Sequence, residues 1–415
     1  MAKTVALDAP ALAFARRAFQ RYYATAAIAP PPRLARREFA AFPFAAETLM
    51  RRHATLRTPE EFRDFLRREV PRHVYYSSAY YRAPAETSMA AKEWLGADLI
   101  FDLDADHLRG AETLDYAGQL ALVKRRLIDL YDDFLVRDFG VDPANAQIVF
   151  SGGRGYHVHV RDDRFLPLTS PERRELVDYI LGTGFDALRA IETGREDVER
   201  GRSSGALEEG AGPAAKGPAP KLRRLAPPDA PGWRGRTTRA VLELLRRWEA
   251  AGPEATVAEL TSFGIEPKVA RRWARRLLDG GGAARIRESL SLDALKQELP
   301  DEFLAAVVRR AAIQVQGETD APVTTDIHRL IRLPGSLHGG TGFRVVPLGR
   351  AELEAFDPFG AAPVADPERV TVRLTEPVDH PFPEGPLRGA AGAVLDLPTA
   401  PALFLVLRGE AELRP

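Results

Sequence analysis

Apolar residues at Leu120, Val123, Leu127, Leu130, Tyr131 and Phe134 recur at steps of three and four, which predicts an amphipathic helix over 114–138. A second helix is expected over 59–69, where Thr58 stands as a cap before Pro59 at the first helical position. Residues 12–40 also read as helix, interrupted at Pro30, Pro31 and Pro32. An aromatic stretch follows, with Tyr75, Tyr76, Tyr80 and Tyr81 ahead of Pro84. Ala97 to Asp104 is different: a short apolar run that ends in acids, the pattern of a buried strand with carboxylates at its end. Gln147–Phe150 and Tyr156–Val160 read as strands joined by Ser151-Gly152-Gly153-Arg154-Gly155, a hairpin with a glycine-rich tip.

The second half is patterned otherwise. About Gly201 to Pro220 there are five glycines and three prolines in twenty residues, which predicts a linker. Residues 221–247 carry eight Lys and Arg against two acids. Helical patterns run from about 237 to 312, one of them a stripe of Val269, Trp273 and Leu277 with Arg271, Arg272, Arg275 and Arg276 off it. Strand signals return at Ile313–Gln316 and Phe343–Leu348. No internal repeat is visible. The expected architecture is an α/β (α+β) body with a mixed sheet core, made of 1–195 and 313–365. A linker and mostly helical insert fill 196–312, and 366–415 form a C-terminal segment.

Composition narrows the possibilities. The chain has 415 residues and no cysteine, which removes disulfides, thiol catalysis, iron–sulfur clusters and cysteine-based zinc sites and fits a cytosolic protein. Lys and Arg number 58 and so do Asp and Glu, so any nucleic-acid footprint must be local rather than global. No apolar run reaches the roughly 18 residues of a membrane span, and Met1 to Pro10 lacks the pattern of a signal peptide.

Three segments carry chemistry. Asp102 and Asp104 project from one face of a strand. Such a pair suits a divalent cation held against phosphate oxygens, or else it is a solvated strand end. In Ser151–His159, glycines allow close backbone approach to an anion, Arg154 offers a fork of donors, and His157 and His159 share a strand face. That convergence favours triphosphate binding over a plain hairpin turn. In the segment from Thr319 to Gly340, Asp320 follows a strand-like stretch and is a candidate third carboxylate. Thr324 or Thr325 is expected to cap a short helix carrying His328, Arg329 and Arg332, ended by Pro334, before a glycine-flanked loop with Ser336 and His338.

Taken together, Phe101 to Asp106, Ser151 to Val160 and Asp326 to Gly339 resemble the small, catalytic subunit of archaeal primases in the archaeo-eukaryotic primase superfamily. Supporting pieces are Arg37-Glu38-Phe39, Arg52-His53 and Tyr75 to Tyr81. The resemblance spans about 15–160 and 313–350. It implies a primase-type catalytic domain that makes short RNA or DNA primers on a DNA template by two-metal nucleotidyl transfer. By resemblance, Asp102 and Asp104 are the metal pair, and the third carboxylate, 18 residues before the loop histidine, is Asp320 rather than Asp326. Ser151, Arg154 and His157 match the nucleotide-contacting turn. Arg332 and His338 match triphosphate contacts, and Arg52 an arginine near the nucleotide. Implied cofactors are Mg²⁺ or Mn²⁺. Implied partners are single-stranded DNA template, nucleoside triphosphates and a primase large subunit.

Two departures stand out. Gly153 occupies a place where some relatives carry a second basic residue. The zinc element usual after the acidic pair is missing from 107–118, so no structural zinc is expected. Competing readings are a stand-alone primase–polymerase of repair or end joining, a haloacid-dehalogenase-like phosphatase and a non-catalytic nucleic-acid-binding subunit. The phosphatase would need Thr or Val where this chain has Asp106, and it leaves the glycine–histidine hairpin without a role. The basic stretches 221–247 and 268–276 fit template backbone, a partner or a solvated face.

Overall fold

The computed structural model describes residues 7–45, 49–108, 110–186, 189, 191–195, 221–292, 301–314, 317–361, 363–364 and 368–414. The expected linker at 201–220 lies outside them. Helix α1 (Ala9–Thr25) starts where the Asp8 carboxylate accepts the Ala11 N–H at 2.8 Å, and it buries Phe14, Phe19 and Tyr23. It stops well short of residue 40. Phe39–Phe42 is a strand, β1, paired with β2 (Arg51–Ala54) on one side and β3 (His73–Ser77) on the other. Those partners lie up to 37 residues away and outweigh the local helical pattern.

Helix α2 (Pro59–Glu69) forms as expected. Thr58 accepts the Glu61 N–H at 3.2 Å, Glu60 and Glu61 stand in the first turn, and Arg67 and Arg68 in the last, each matching the helix dipole. Strand β4 (Ala79–Tyr81) pairs with β5 (Trp94–Ala97), with the short α3 (Met89–Lys92) between. Strand β6 (Leu99–Asp104) begins one residue later, so the single expected strand is two, split at the buried Asp98. Helix α4 (Tyr116–Asp129) is capped by Asp115, which accepts the Gly118 N–H at 2.7 Å. It continues as wider π-helical turns over Leu130–Asp138. The hairpin of β7 (Ala146–Phe150) and β8 (Gly155–Val160) matches expectation, and α5 (Ser170–Leu181) follows.

The chain divides into two compact units, 1–181 with 317–415, and 182–316. In the second, β9 (Ile191–Arg195) pairs with β10 (Lys221–Leu225), so 191–195 belong with this unit rather than with the body. Its helices are α6 (Gly232–Ser262), α7 (Pro267–Leu277), α8 (Gly282–Ser289) and α9 (Asp301–Gln314). Helix α6 is kinked where Gly252 leaves helical geometry ahead of Pro253. Trp248, Leu260, Trp273, Leu277, Ile286 and Val308 form the core of this unit. Ile313 and Gln314, expected as strand, end α9 instead. Val307, Val308, Ala311 and Ala312 are buried ahead of them, a spacing that one face of a helix produces.

Back in the first unit, α10 (Ala321–Thr325) is followed by β11 (Leu330–Arg332), β12 (Val346–Leu348), α11 (Arg350–Ala355) and α12 (Pro358–Ala361). The tail adds β13 (Arg369–Leu374), β14 (Val378–His380), β15 (Leu387–Gly389), β16 (Val394–Pro398), α13 (Thr399–Arg408) and β17 (Ala411–Leu413). The expected mixed sheet core resolves into antiparallel sheets, the two largest ordered β11-β3-β1-β2 and β12-β7-β8-β6. Buried side chains of the two sheets meet, Tyr76 Oη lying 3.0 Å from His159 Nδ1. The helix expected to carry His328 to Arg332 does not form. Asp326 turns its carboxylate back onto the His328 N–H at 2.8 Å, and Leu330–Arg332 pairs with Tyr75–Ser77.

Candidate active site

Asp102 and Asp104 lie on β6, directly opposite His157 and Gly155 of β8. Both carboxylates are half-buried on one strand face. Asp320 joins them from the far end of the sequence, its N–H donating to the Asp102 carbonyl at 2.8 Å. It sits at the N-cap of α10, not after a strand as expected. Burial pushes the Asp102 carboxyl up to about 7, and the neighbouring Asp104 and Asp320 charges push the same way, while Arg329 and Arg332 pull it down. Three carboxylates thus lie close enough to feel one another. Among the described residues no ready-made cage of three or more metal-ligating side chains is drawn together. The donor set is all carboxylate oxygen, which suits hard divalent ions such as Mg²⁺ or Mn²⁺.

The glycine turn stands beside the pair. Ser151 Oγ accepts the N–H groups of Gly153 and Gly155, each at 3.2 Å, which fixes the loop. Gly152 adopts φ +75°, and a Cβ there would meet the His338 Cβ at 2.7 Å, so this position needs glycine twice over. A Cβ on Gly155 would lie 2.4 Å from the Leu103 carbonyl, so β8 can approach β6 this closely only without a side chain. Arg154 is held by Asp106, whose N–H in turn binds Asp104 Oδ1 at 3.0 Å. Asp106 lies in the 3₁₀ turn after β6, beyond the strand face. His157 Nε2 lies 3.4 Å from Asp102 Oδ1. Burial, with help from Arg332 and Arg329, lowers the His157 pKa to about 3, so the ring is neutral near pH 7.

The loop after β11 closes over the turn. Arg332 lies on the strand, over the Tyr75 ring at 5.0 Å, and donates to His73 Nδ1 at 2.5 Å. Arginine can only donate, so His73 must accept at Nδ1, in keeping with a pKa lowered first by burial and then by Arg332. His338 packs edge-on to His73 at 5.3 Å between centroids and is likewise held neutral, chiefly by burial. Thr341 Oγ1 donates to the Gly152 carbonyl at 2.5 Å and ties this loop to the turn.

Eight of the nine expected residues, Asp102, Asp104, Ser151, Arg154, His157, Asp320, Arg332 and His338, are linked through these contacts and charges. Arg52 is placed otherwise: its guanidinium binds the buried Glu38 at 2.9 Å, beside Lys92 at 3.4 Å from the same carboxylate. Sequence reasoning passed over Thr341, His73 and Tyr116. Tyr116 Oη donates to the Gly153 carbonyl at 2.7 Å from under the turn, and Phe404 of the tail packs on Tyr116 at 5.6 Å. The run Gly339-Gly340-Thr341 held a signal for Thr341, a hydroxyl beside a glycine hinge. Nothing local marks the pairing of Tyr116 with Phe404.

An acidic trio facing a glycine turn and a cationic, histidine-bearing loop is a nucleotidyl-transfer type of site. Residues 101–350 match the family described as DNA primase small subunit. The chain is 40% identical over 97% of its length, and 98% of the relative's, to the DNA primase small subunit PriS of Methanocella arvoryzae. It is 38% identical to the protein of that name in Methanothrix thermoacetophila, covering 96% of this chain and 98% of the relative, and 37% identical to that of Methanococcoides burtonii, covering 96% and 97%. The chain belongs to the DNA primase small-subunit family. Its function is that of a primase-type nucleotidyltransferase, primer synthesis in DNA replication, and the repair and phosphatase alternatives are not favoured. Among the described residues no helix is long and apolar enough to cross a membrane.

Proposed function

We propose that this chain makes short primers in the cytoplasm on single-stranded DNA as the catalytic half of a heterodimer with a primase large subunit, Asp102, Asp104 and Asp320 holding Mg²⁺ or Mn²⁺. The observation that carries this reading is the Asp102 carboxyl, raised first by burial and then by Asp104 and Asp320, while it faces His157 and the Arg329 and Arg332 charges. Acids that repel one another are gathered beside cations, as a site for metal and polyphosphate requires.

The reaction joins a 3′-hydroxyl to the α-phosphate of an incoming nucleoside triphosphate and releases pyrophosphate. Bound divalent ions supply a lowered hydroxyl pKa and neutralise charge on the leaving phosphates. The protein's own groups orient the triphosphate. Arg332 and Arg154 present guanidinium forks to it. His157 and His338, held neutral, donate hydrogen bonds without adding charge. Ser151 fixes the turn by accepting the Gly153 and Gly155 N–H groups, which sets the glycine backbone beside the acids. Arg52, paired with Glu38, is given no part in holding the triphosphate.

The test is incorporation of labelled nucleotides on unprimed single-stranded DNA with Mg²⁺ or Mn²⁺. Metal-dependent products are expected from the wild-type chain. Products that appear only when a primer is supplied, even with a large subunit present, would overturn initiation as its role in favour of extension.

A further inference from the structure

Helix α7 has two faces of opposite character. Ala270, Trp273, Ala274 and Leu277 are buried in the core of the second unit. Lys268, Arg271, Arg272 and Arg275 are exposed, and Arg276 is half-buried. Eleven residues therefore carry five cations and no acid, in a chain whose formal charge is zero. Like charges three and four residues apart destabilise a helix by a few tenths of a kcal/mol per pair.

Some other arginines of the same unit are matched to acids. Arg246 pairs with Glu243 at 3.2 Å, Arg247 with Glu259 at 3.0 Å and Arg287 with Glu249 at 2.9 Å. Among the described residues no Asp or Glu pairs with any of the five cations of α7. The one acid at its start, Glu266, is turned onto the N–H groups of Lys268 and Val269 at 3.1 and 3.2 Å. Arg272 and Arg276 lie over the Trp273 ring at 5.8 and 5.1 Å, and Arg271 donates to the Pro267 carbonyl at 3.2 Å. These contacts position the guanidinium groups without neutralising them. From Lys268 to Arg276 the helix rises about 12 Å, a length over which one strand of a duplex carries about three or four phosphates.

We propose, on the template-directed reading above, that the outer face of α7 holds the sugar–phosphate backbone of the template strand, independent of its sequence. Charge and spacing fit a polyanion, and the buried indole leaves backbone rather than base contact to this face.

Equilibrium binding of a single-stranded DNA oligonucleotide across salt concentrations tests this with the full chain. Each single-strand phosphate contact contributes about 0.7 to the slope of log K against log salt. Neutralising Arg271, Arg272, Arg275 and Arg276 together to Gln, which keeps helix propensity close to Arg, should reduce the slope by about 2 to 3. The milder Arg271→Gln/Arg275→Gln pair leaves the Trp273 contacts in place and should reduce it by about 1.4, and it decides the matter where the fourfold variant loses its fold. Arg246→Gln/Arg247→Gln serves as control and should leave the slope unchanged. An unchanged slope in the α7 variants, or an equal drop in the control, overturns the inference. Primer synthesis by the wild-type chain on the same oligonucleotide is measured alongside. Primers made with an unmoved slope count against α7 alone, whereas no primers count against the template-directed reading itself.

Discussion

Replacing Asp102 by Asn is expected to lower nucleotide incorporation by roughly 10³-fold or more while leaving the metal-free protein more stable at pH 8. Both effects have one cause. The carboxyl is raised from its ordinary value of 3.8 to about 7, first by burial and then by Asp104 and Asp320. The folded protein therefore keeps a proton that the unfolded chain releases between about pH 4 and pH 7. The contribution of this group to stability without bound cation falls as pH rises through that window, by on the order of a few kcal/mol. Asn cannot ionise, so the unfolding free energy of the variant relative to the wild type should rise between pH 4 and pH 8. A variant that gains no stability relative to the wild type as pH rises across this window, or incorporation retained by Asp102→Asn, would remove Asp102 from the site.

Replacing Arg37 by Ala is expected to remove about 3–5 kcal/mol of stability, a large share of what a domain has. Arg37 has no exposed surface, and its five N–H donors are all used. Nε donates to the Pro32 carbonyl at 3.1 Å. One terminal nitrogen reaches the Ser77 and Ser78 carbonyls at 2.7 and 3.0 Å. The other reaches Tyr80 Oη at 2.7 Å and Asp98 Oδ2 at 2.8 Å. Asp98, also fully buried, stands at the residue before β6, the strand that carries Asp102 and Asp104. Removing the guanidinium leaves that carboxylate facing Arg161 at the longer distance of 3.6 Å. Arg37→Lys should recover little, since an ammonium cannot reproduce five donors in a plane. Denaturant unfolding of Arg37→Ala beside Arg37→Met/Asp98→Asn checks this. The double variant should be the more stable of the two, and a loss under about 1 kcal/mol for Arg37→Ala would show the network to be dispensable.

Much of the site was legible because its parts are local. Thr58-Pro59 announced α2 through cap chemistry, and Leu99-Ile100-Phe101 ahead of Asp102 announced a buried strand. The hairpin of β7 and β8 was written in its glycines. Asp320 was reached through resemblance, and the structure places it beside Asp102. What escaped depends on distant pairing. Leu330–Arg332 reads as a helix by its neighbours and is a strand because Tyr75–Ser77, more than 250 residues earlier, supplies its ladder. Phe39–Phe42 failed for the same reason. The tail had few landmarks, yet Phe404 stacks on Phe343 at 4.9 Å and backs Tyr116 beneath the glycine turn. Such support depends on packing, which single-sequence periodicity does not encode.

The most direct measurement is Mn²⁺ binding, followed by the electron paramagnetic resonance signal of the free ion, for the wild-type chain and Asp104→Asn with a nucleoside triphosphate present. The wild-type chain should take up Mn²⁺ and the variant should bind it at least about tenfold more weakly, as loss of one of three charged ligands requires. Equal uptake by both proteins would contradict the assignment of the ions to Asp102, Asp104 and Asp320.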